Sequence, residues 1–194
     1  NNWLSKFGGS AWQYCAGVGK YYLHLFDVTQ ADLNWENPIL RQEIYRMMRY
    51  WLELGVDGFR LDVINLISKQ QSFADDTLLT PTADGRKFYT DGPRIHEYLH
   101  EMNHEVFALR DGLLTVGEMS STTLESCVLY TNPARKELDM VFNFHHLKVD
   151  YVGGEKWSLG RFDFIQLKQL FNTWQSGMQA GGGWNALFWS NHDQ

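Results

Sequence analysis

The chain has 194 residues, of which 44% are hydrophobic and 15% aromatic, enough to bury a substantial core in one globular domain. Its 17 basic and 23 acidic residues leave a formal charge of −6, and the two signs are interspersed along the chain. That pattern excludes nucleic acid or an anionic membrane surface as the main partner. Cys15 and Cys127 are far apart and form neither a disulfide framework nor a CxxC metal pattern, so a cytoplasmic location is expected. No apolar run approaches the roughly 18 residues that span a bilayer.

Residues 1–35 are rich in Gly, Trp and Tyr, and the alternation Tyr21–Phe26 after Gly17-Val18-Gly19 predicts a short hairpin in irregular surroundings. Asn37-Pro38 reads as a cap followed by a first-turn proline. Ile39, Leu40, Ile44, Met47, Met48, Trp51 and Leu52 then recur at helical spacing until Gly55. The next stretch, Gly55 to Asn65, is a short apolar strand into which Arg60 and Asp62 are set two residues apart. Alternate strand residues share a face, so these two side chains point together. The residues alone admit two readings, an internal ion pair that fixes packing or part of a reactive site.

A polar excursion follows from Ser68 to Asp91, of a length that compact domains reserve for functional or disordered loops. Gly92-Pro93 opens a second helix to about Leu109. Leu113–Glu118 is an apolar strand ending in a carboxylate, and Thr122-Thr123-Leu124-Glu125 supplies a capping box for a third helix. Leu138–Phe144 reads as a third strand, and a loop with His145, His146, Lys148 and Lys156 follows it. Residues 163–178 form an amphipathic helix carrying Phe164, Leu167, Leu170, Phe171 and Trp174 on one face. Asn185–Trp189 is a fourth strand that runs into Asn191-His192-Asp193. Strands alternating with helices predict an α/β fold of parallel strands with right-handed crossovers. Three strand ends bear a carboxylate, Asp62, Glu118 and Asp193, the layout of a (β/α)8 barrel, with a doubly wound sheet as the competing architecture.

Two carboxylates across a cleft can divide the work of glycoside hydrolysis if their surroundings drive their pKa values apart. Arg60 would keep Asp62 ionised. Glu118, at the end of an apolar strand, is the better candidate for a raised pKa and so for the acid/base. His100-Glu101-Met102-Asn103-His104 offers a rival, the H-E-x-x-H pattern of zinc metalloproteases, with His96 one turn earlier and Glu125 as a third ligand downstream. Against it, the apolar residues Ile95, Tyr98, Leu99, Met102 and Val106 must face the sheet, which turns the three histidines outward.

Gly58-Phe59-Arg60-Leu61-Asp62, Gly117-Glu118-Met119 and Asn191-His192-Asp193 resemble, in order, three of the four short motifs of the α-amylase-type glycoside hydrolases, family 13. Asn2-Trp3, Phe7–Trp12, Tyr22–Phe26 and Asp32–Pro38 are similar to the oligo-1,6-glucosidase branch. Phe88–Arg94, Gly117–Thr122 and Phe142–Tyr151 look most like its members that cleave trehalose 6-phosphate. The resemblance implies a retaining mechanism with Asp62 as nucleophile, Glu118 as general acid/base and Asp193 as stabiliser of the transition state. Arg60 would orient Asp62, and His192 would bind sugar hydroxyls. It also implies a partial (β/α)8 barrel of about four βα units over residues 36–194, with residues 1–35 as the tail of an inserted subdomain. The family's first motif is expected upstream of Asn1 and its eighth strand beyond Gln194, in an enzyme about three times as long. A sugar or sugar phosphate would be the substrate, and isomalto-oligosaccharides are the alternative. A phosphorylated sugar needs a cationic pocket, for which Lys148 and Lys156 with His145 or His146 are the candidates. The residues present imply no metal or cofactor, and a calcium loop is left to a segment preceding Asn1.

Overall fold

A computed structural model describes residues 1–78 and 83–192 of the chain. The predicted hairpin is present as antiparallel β1 (Trp12–Cys15) and β2 (Lys20–Leu23), with Trp12 paired to Leu23 and Cys15 to Lys20. α1 (Pro38–Glu53) starts where the sequence placed it. The Asn37 side chain accepts a hydrogen bond from the Ile39 N–H, satisfying one of the first-turn donors, and Pro38 has no N–H to satisfy. Beyond α1 the backbone turns through Gly55 at φ +95°, a conformation open to glycine without strain.

The central sheet is parallel, in the order β3 (Gly58–Leu61), β4 (Leu114–Glu118), β5 (Met140–Phe142). Leu61 pairs with Gly117, and Glu118 with Phe142, so the C-terminal ends of all three strands lie together. Asp139 pins β5 to β4, since its Oδ2 accepts from both the N–H and the hydroxyl of Thr115 at 2.7 and 2.8 Å. The crossovers are α2 (Ile95–Glu105), between β3 and β4, and α3 (Leu124–Thr131), between β4 and β5. α4 (Phe164–Ala180) follows β5, capped by Asp163.

Three expectations change. The fourth strand, expected over 185–189, shrinks to one parallel bridge between Asn185 and Val141, fixed by the Ala186 N–H on the Val141 carbonyl at 2.8 Å. α3 is capped by Thr123 and not by a box starting at Thr122. The Thr123 hydroxyl accepts from the Ser126 N–H, which leaves Glu125 one position short of where it could reach back. Phe164 is exposed, so the inward face of α4 is Leu167, Trp174 and Met178.

One core lies between helices and sheet, where Tyr45, Met48, Tyr98, Leu99, Met102, Tyr130, Val141 and Trp174 pack together. A second is built around Trp3, with Ala11, Leu23, Leu25, Leu66 and Tyr89. It joins the N-terminal segment to the long loop after β3, and the loop is tied down by polar bonds as well. Trp3 Nε1 donates to the Ala74 carbonyl at 2.9 Å, and Asn2 bonds Asp76 through both its amide atoms. The outer side of α1 remains apolar and open, with Ile39, Met47 and Trp51 exposed, and β3 is an edge strand among the described residues.

Candidate active site

Register brings the end of β3 beside the end of β4, and Arg60 sits between two carboxylates as a result. One guanidinium nitrogen donates to Asp62 Oδ1 and the other to Glu118 Oε2, and the guanidinium lies over the Phe142 ring at 5.6 Å. The two acids occupy different media. The Asp62 side chain is 72% exposed, whereas that of Glu118 is 6% exposed. Burial therefore raises the pKa of Glu118, the charge of Asp62 and its hydrogen bond add to the rise, and Arg60 opposes it. The Val63 backbone N–H opposes the rise as well. Val63 adopts a left-handed backbone, φ +35°, a strained state for a β-branched residue, one position past Asp62.

Arg60 also lines a cavity of about 290 Å³ with Phe142, Phe188, Asn191 and His192, so the structure brings Arg60 and His192 together. Asp193, the third expected carboxylate, lies outside the described residues.

Next to Glu118 along the chain, Met119, Ser120 and Ser121 form one wall of a second cavity, about 550 Å³ in volume. Its other walls bring in Lys6, Arg86, His145 and Lys148, with Asp84 as the one carboxylate among the described residues of its lining. Asp84 is engaged already. Both its oxygens accept from the Arg86 side chain, and although burial opposes it, those bonds hold its pKa down. Burial lowers the pKa of the Lys6 ammonium, and the charges of Arg86 and Lys148 add to this against Asp84. Burial, Lys148 and His146 lower the pKa of His145, which favours the neutral imidazole. Three cations and one carboxylate among the described lining residues leave the cavity with excess positive charge in a chain whose net charge is −6.

Of the four residues expected there, the structure gathers Lys148 and His145 but not Lys156 or His146. The Lys156 ammonium lies 5.1 Å over the Trp157 ring, outside the lining of the cavity. His146 is buried, with Nε2 2.9 Å from the Phe188 carbonyl and its ring against Phe171 and Phe188, and it tethers the 185–189 segment. Lys6 and Arg86 were missed. Arg86 did carry a signal, since it follows the turn Ala83-Asp84-Gly85 in a loop long enough to be functional.

The H-E-x-x-H residues do not converge. Glu101 Oε2 accepts from Arg41 Nε at 2.7 Å, a partner on α1, while His100 Nδ1 faces the Arg135 carbonyl and His104 faces Glu105. His96 is paired to Glu137 at 2.7 Å. Among the described residues no group of three or more His, Cys, Asp or Glu side chains could hold a metal ion.

The family model for the alpha-amylase catalytic domain matches residues 1–194. The chain is 65% identical over 193 residues to a trehalose-6-phosphate hydrolase of Bacillus subtilis, covering 100% of this chain and 34% of that protein. It is 48% identical over 196 residues to an oligo-1,6-glucosidase of Parageobacillus thermoglucosidasius, with the same coverage. The crystal structure of Bacillus licheniformis trehalose-6-phosphate hydrolase superposes with a TM-score of 0.93 at 64% identity, over 100% of this chain and 34% of that one. The chain thus spans about a third of the length of the curated relatives it matches.

Proposed function

Because the chain belongs to the alpha-amylase family of catalytic domains, we propose that it carries the reactive centre of a retaining α-glucosidase that cleaves trehalose 6-phosphate to glucose and glucose 6-phosphate. Asp62 attacks the anomeric carbon and forms a covalent glycosyl-enzyme, while Glu118 protonates the departing glycosidic oxygen. Glu118 then takes a proton from water as the intermediate is hydrolysed. Asp193 holds the sugar hydroxyls and stabilises the transition state, and His192 binds hydroxyls from the cavity it shares with Arg60.

The observation that carries this reading is the pair Asp62 and Glu118 on one guanidinium, the first open and the second buried. Raised pKa in the buried acid suits proton donation near neutrality, and the exposed partner suits nucleophilic attack. Both carboxylates reach one guanidinium, and a separation of about 5–5.5 Å between them would suit a retaining mechanism, against about 6.5–9.5 Å for an inverting one.

The second cavity supports the phosphorylated substrate. Lys148, Lys6 and Arg86 would hold the phosphate next to the leaving sugar, with His145 and Ser120 as neutral partners. In architecture, residues 36–194 would form the central part of a (β/α)8 barrel, the strand ends carrying the site, with residues 1–35 belonging to an inserted subdomain. The free thiols Cys15 and Cys127 suit a reducing cytoplasm. Steady-state hydrolysis by the full-length protein tests the reading. A higher kcat/KM for trehalose 6-phosphate than for trehalose, isomaltose or maltose is expected, and equal values for trehalose and its phosphate would overturn it.

A further inference from the structure

Asn65 is fully buried, three residues beyond Asp62 in a short 3-10 turn. Its side chain spends its polar capacity on the loop that follows Glu118. Asn65 Oδ1 accepts from the Ser120 N–H at 2.9 Å, and Nδ2 donates to the Ser120 carbonyl at 2.9 Å. The same Nδ2 donates to Asp91 Oδ1 at 3.0 Å, and the Asp91 N–H returns a bond to the Asn65 carbonyl at 3.0 Å. Asp91 Oδ1 also accepts from the Tyr130 hydroxyl at 2.6 Å. One amide thus joins the end of β3, the turn after β4 and the loop before α2, and Tyr130 of α3 holds it from behind.

Of the five non-glycine residues with a left-handed backbone among the described residues, one belongs to this knot and one adjoins it. Asp91 sits at φ +47° and Ser121 at φ +54°, both left-handed without being glycine. Such residues cost on the order of 1–3 kcal/mol each and persist only where their surroundings over-determine them. The Asn65 bridge supplies that constraint on the residue next to Ser121. Glu118 does not depend on it, because Arg60 and the ladder to β5 fix the carboxylate separately. Ser120 and Ser121, by contrast, are the wall of the cationic cavity.

We infer that Asn65 is a positioning residue that, by clamping both main-chain groups of Ser120, sets the cationic cavity at its working distance from Glu118 and so determines preference for a phosphorylated substrate. The inference rests on the proposed trehalose 6-phosphate activity. Without the clamp, the turn can relax from its left-handed geometry, and the cavity wall moves while the carboxylates stay in place.

The test compares full-length wild type with Asn65→Ala and with Tyr130→Phe, which removes only the hydroxyl behind Asp91. Binding of inorganic phosphate is measured by calorimetry, and kcat and KM are measured on trehalose 6-phosphate and on p-nitrophenyl α-glucoside. Loss of two or three buried hydrogen bonds predicts a rise of about tenfold or more in the phosphate Kd and in the KM for trehalose 6-phosphate in Asn65→Ala. The kcat on the aryl glucoside should stay within about threefold, and Tyr130→Phe should shift the same quantities by a smaller factor. If Asn65→Ala does not fold, Tyr130→Phe decides alone. An unchanged phosphate Kd, or an equal fall on both substrates, would overturn the inference and leave Asn65 a purely structural residue. A wild type that does not prefer the phosphorylated sugar sinks the proposed activity instead, and the phosphate Kd still decides whether Asn65 shapes the cavity.

Discussion

Glu118 and Asp62 bond the same guanidinium yet differ in exposure by more than tenfold, 6% against 72%. Among the described residues Glu118 ends a strand flanked on both sides, and Asp62 stands one residue past the end of a strand with a single neighbour. An acid and a nucleophile can therefore be made from two carboxylates that touch one cation.

The buried acid leaves a signature in stability. Burial first, then Asp62, raises the folded pKa of Glu118 above its ordinary value of 4.5. Folding therefore favours the neutral form. The stability that Glu118 contributes is present in full below about pH 4.5 and is lost as pH rises through the raised value. Glu118→Gln mimics the neutral form at every pH. In the full-length protein it should melt higher than wild type at pH 7, with the gap closing near pH 4, while kcat falls by about 10²- to 10⁴-fold. A melting temperature at pH 7 below that of wild type would contradict the origin assigned to the pKa shift.

The two lysines nominated for a phosphate should separate cleanly. Lys148 lines the cationic cavity, and Lys156 stands over Trp157 outside it. A charge-assisted bond is worth about 1.5–3 kcal/mol, so Lys148→Ala should raise KM for trehalose 6-phosphate by about 10- to 100-fold and leave unphosphorylated aryl glucoside unaffected. Lys156→Ala should stay within about twofold on both. The reverse ranking, read from the same steady-state assays, would move the phosphate to the other end of the loop.

That contrast marks what the sequence could and could not show. Local rules located the start of α1 to the residue, because Asn37-Pro38 is a cap and a first turn whatever surrounds it. The reactive strand was equally legible, since two charged residues at alternate positions in an apolar run have few uses. The fourth strand was not, because β5 is only three residues long and, among the described residues, residues 185–189 meet it in a single bridge, Asn185 to Val141. Lys6 carried no local signal, and Arg86 only that of the turn before it. They reach Lys148 only when the N-terminal segment packs through Trp3 onto the long loop, a contact with no local signature. Lys156, eight positions after Lys148, looked nearer than either.

The H-E-x-x-H stretch tests the same principle from the opposite side. Glu101 is spoken for by Arg41, which also donates to the Trp35 carbonyl at 2.7 Å and is itself 10% exposed at the side chain. Glu101→Ala would leave a largely buried guanidinium short of its anion, at a cost of about 3 kcal/mol. The full-length variant should lose that stability in denaturant unfolding, retain its glucosidase kcat in the folded fraction and contain no less zinc than wild type. Stoichiometric zinc in wild type, absent from the variant and needed for activity, would restore the metal reading.

Gly85 links packing to the cationic cavity. It lies between Asp84 and Arg86 at φ +86°, and an added Cβ would come within 2.4 Å of the Trp3 ring atoms Cγ and Cδ1. Two penalties follow for Gly85→Ala. The left-handed backbone costs an L-residue about 1–2 kcal/mol, and the overlap with a fully buried indole adds about 1–3 kcal/mol of overpacking. Gly112→Ala separates the two, since Gly112 is also left-handed, at φ +75°, but an added Cβ meets nothing within 4 Å. Gly112→Ala should therefore lose only the backbone term in equilibrium unfolding of the full-length protein, and Gly85→Ala clearly more. The clash also has a direction. Moving Trp3 shifts the Leu4 N–H that bonds the Asp84 carbonyl at 3.0 Å, and with it the Asp84 carboxylate that orients Arg86. Gly85→Ala should thus raise KM for trehalose 6-phosphate while Gly112→Ala leaves it unchanged. Equal stability losses would show that Trp3 yields to the methyl group, and the anchoring of Arg86 through that contact would have to be abandoned.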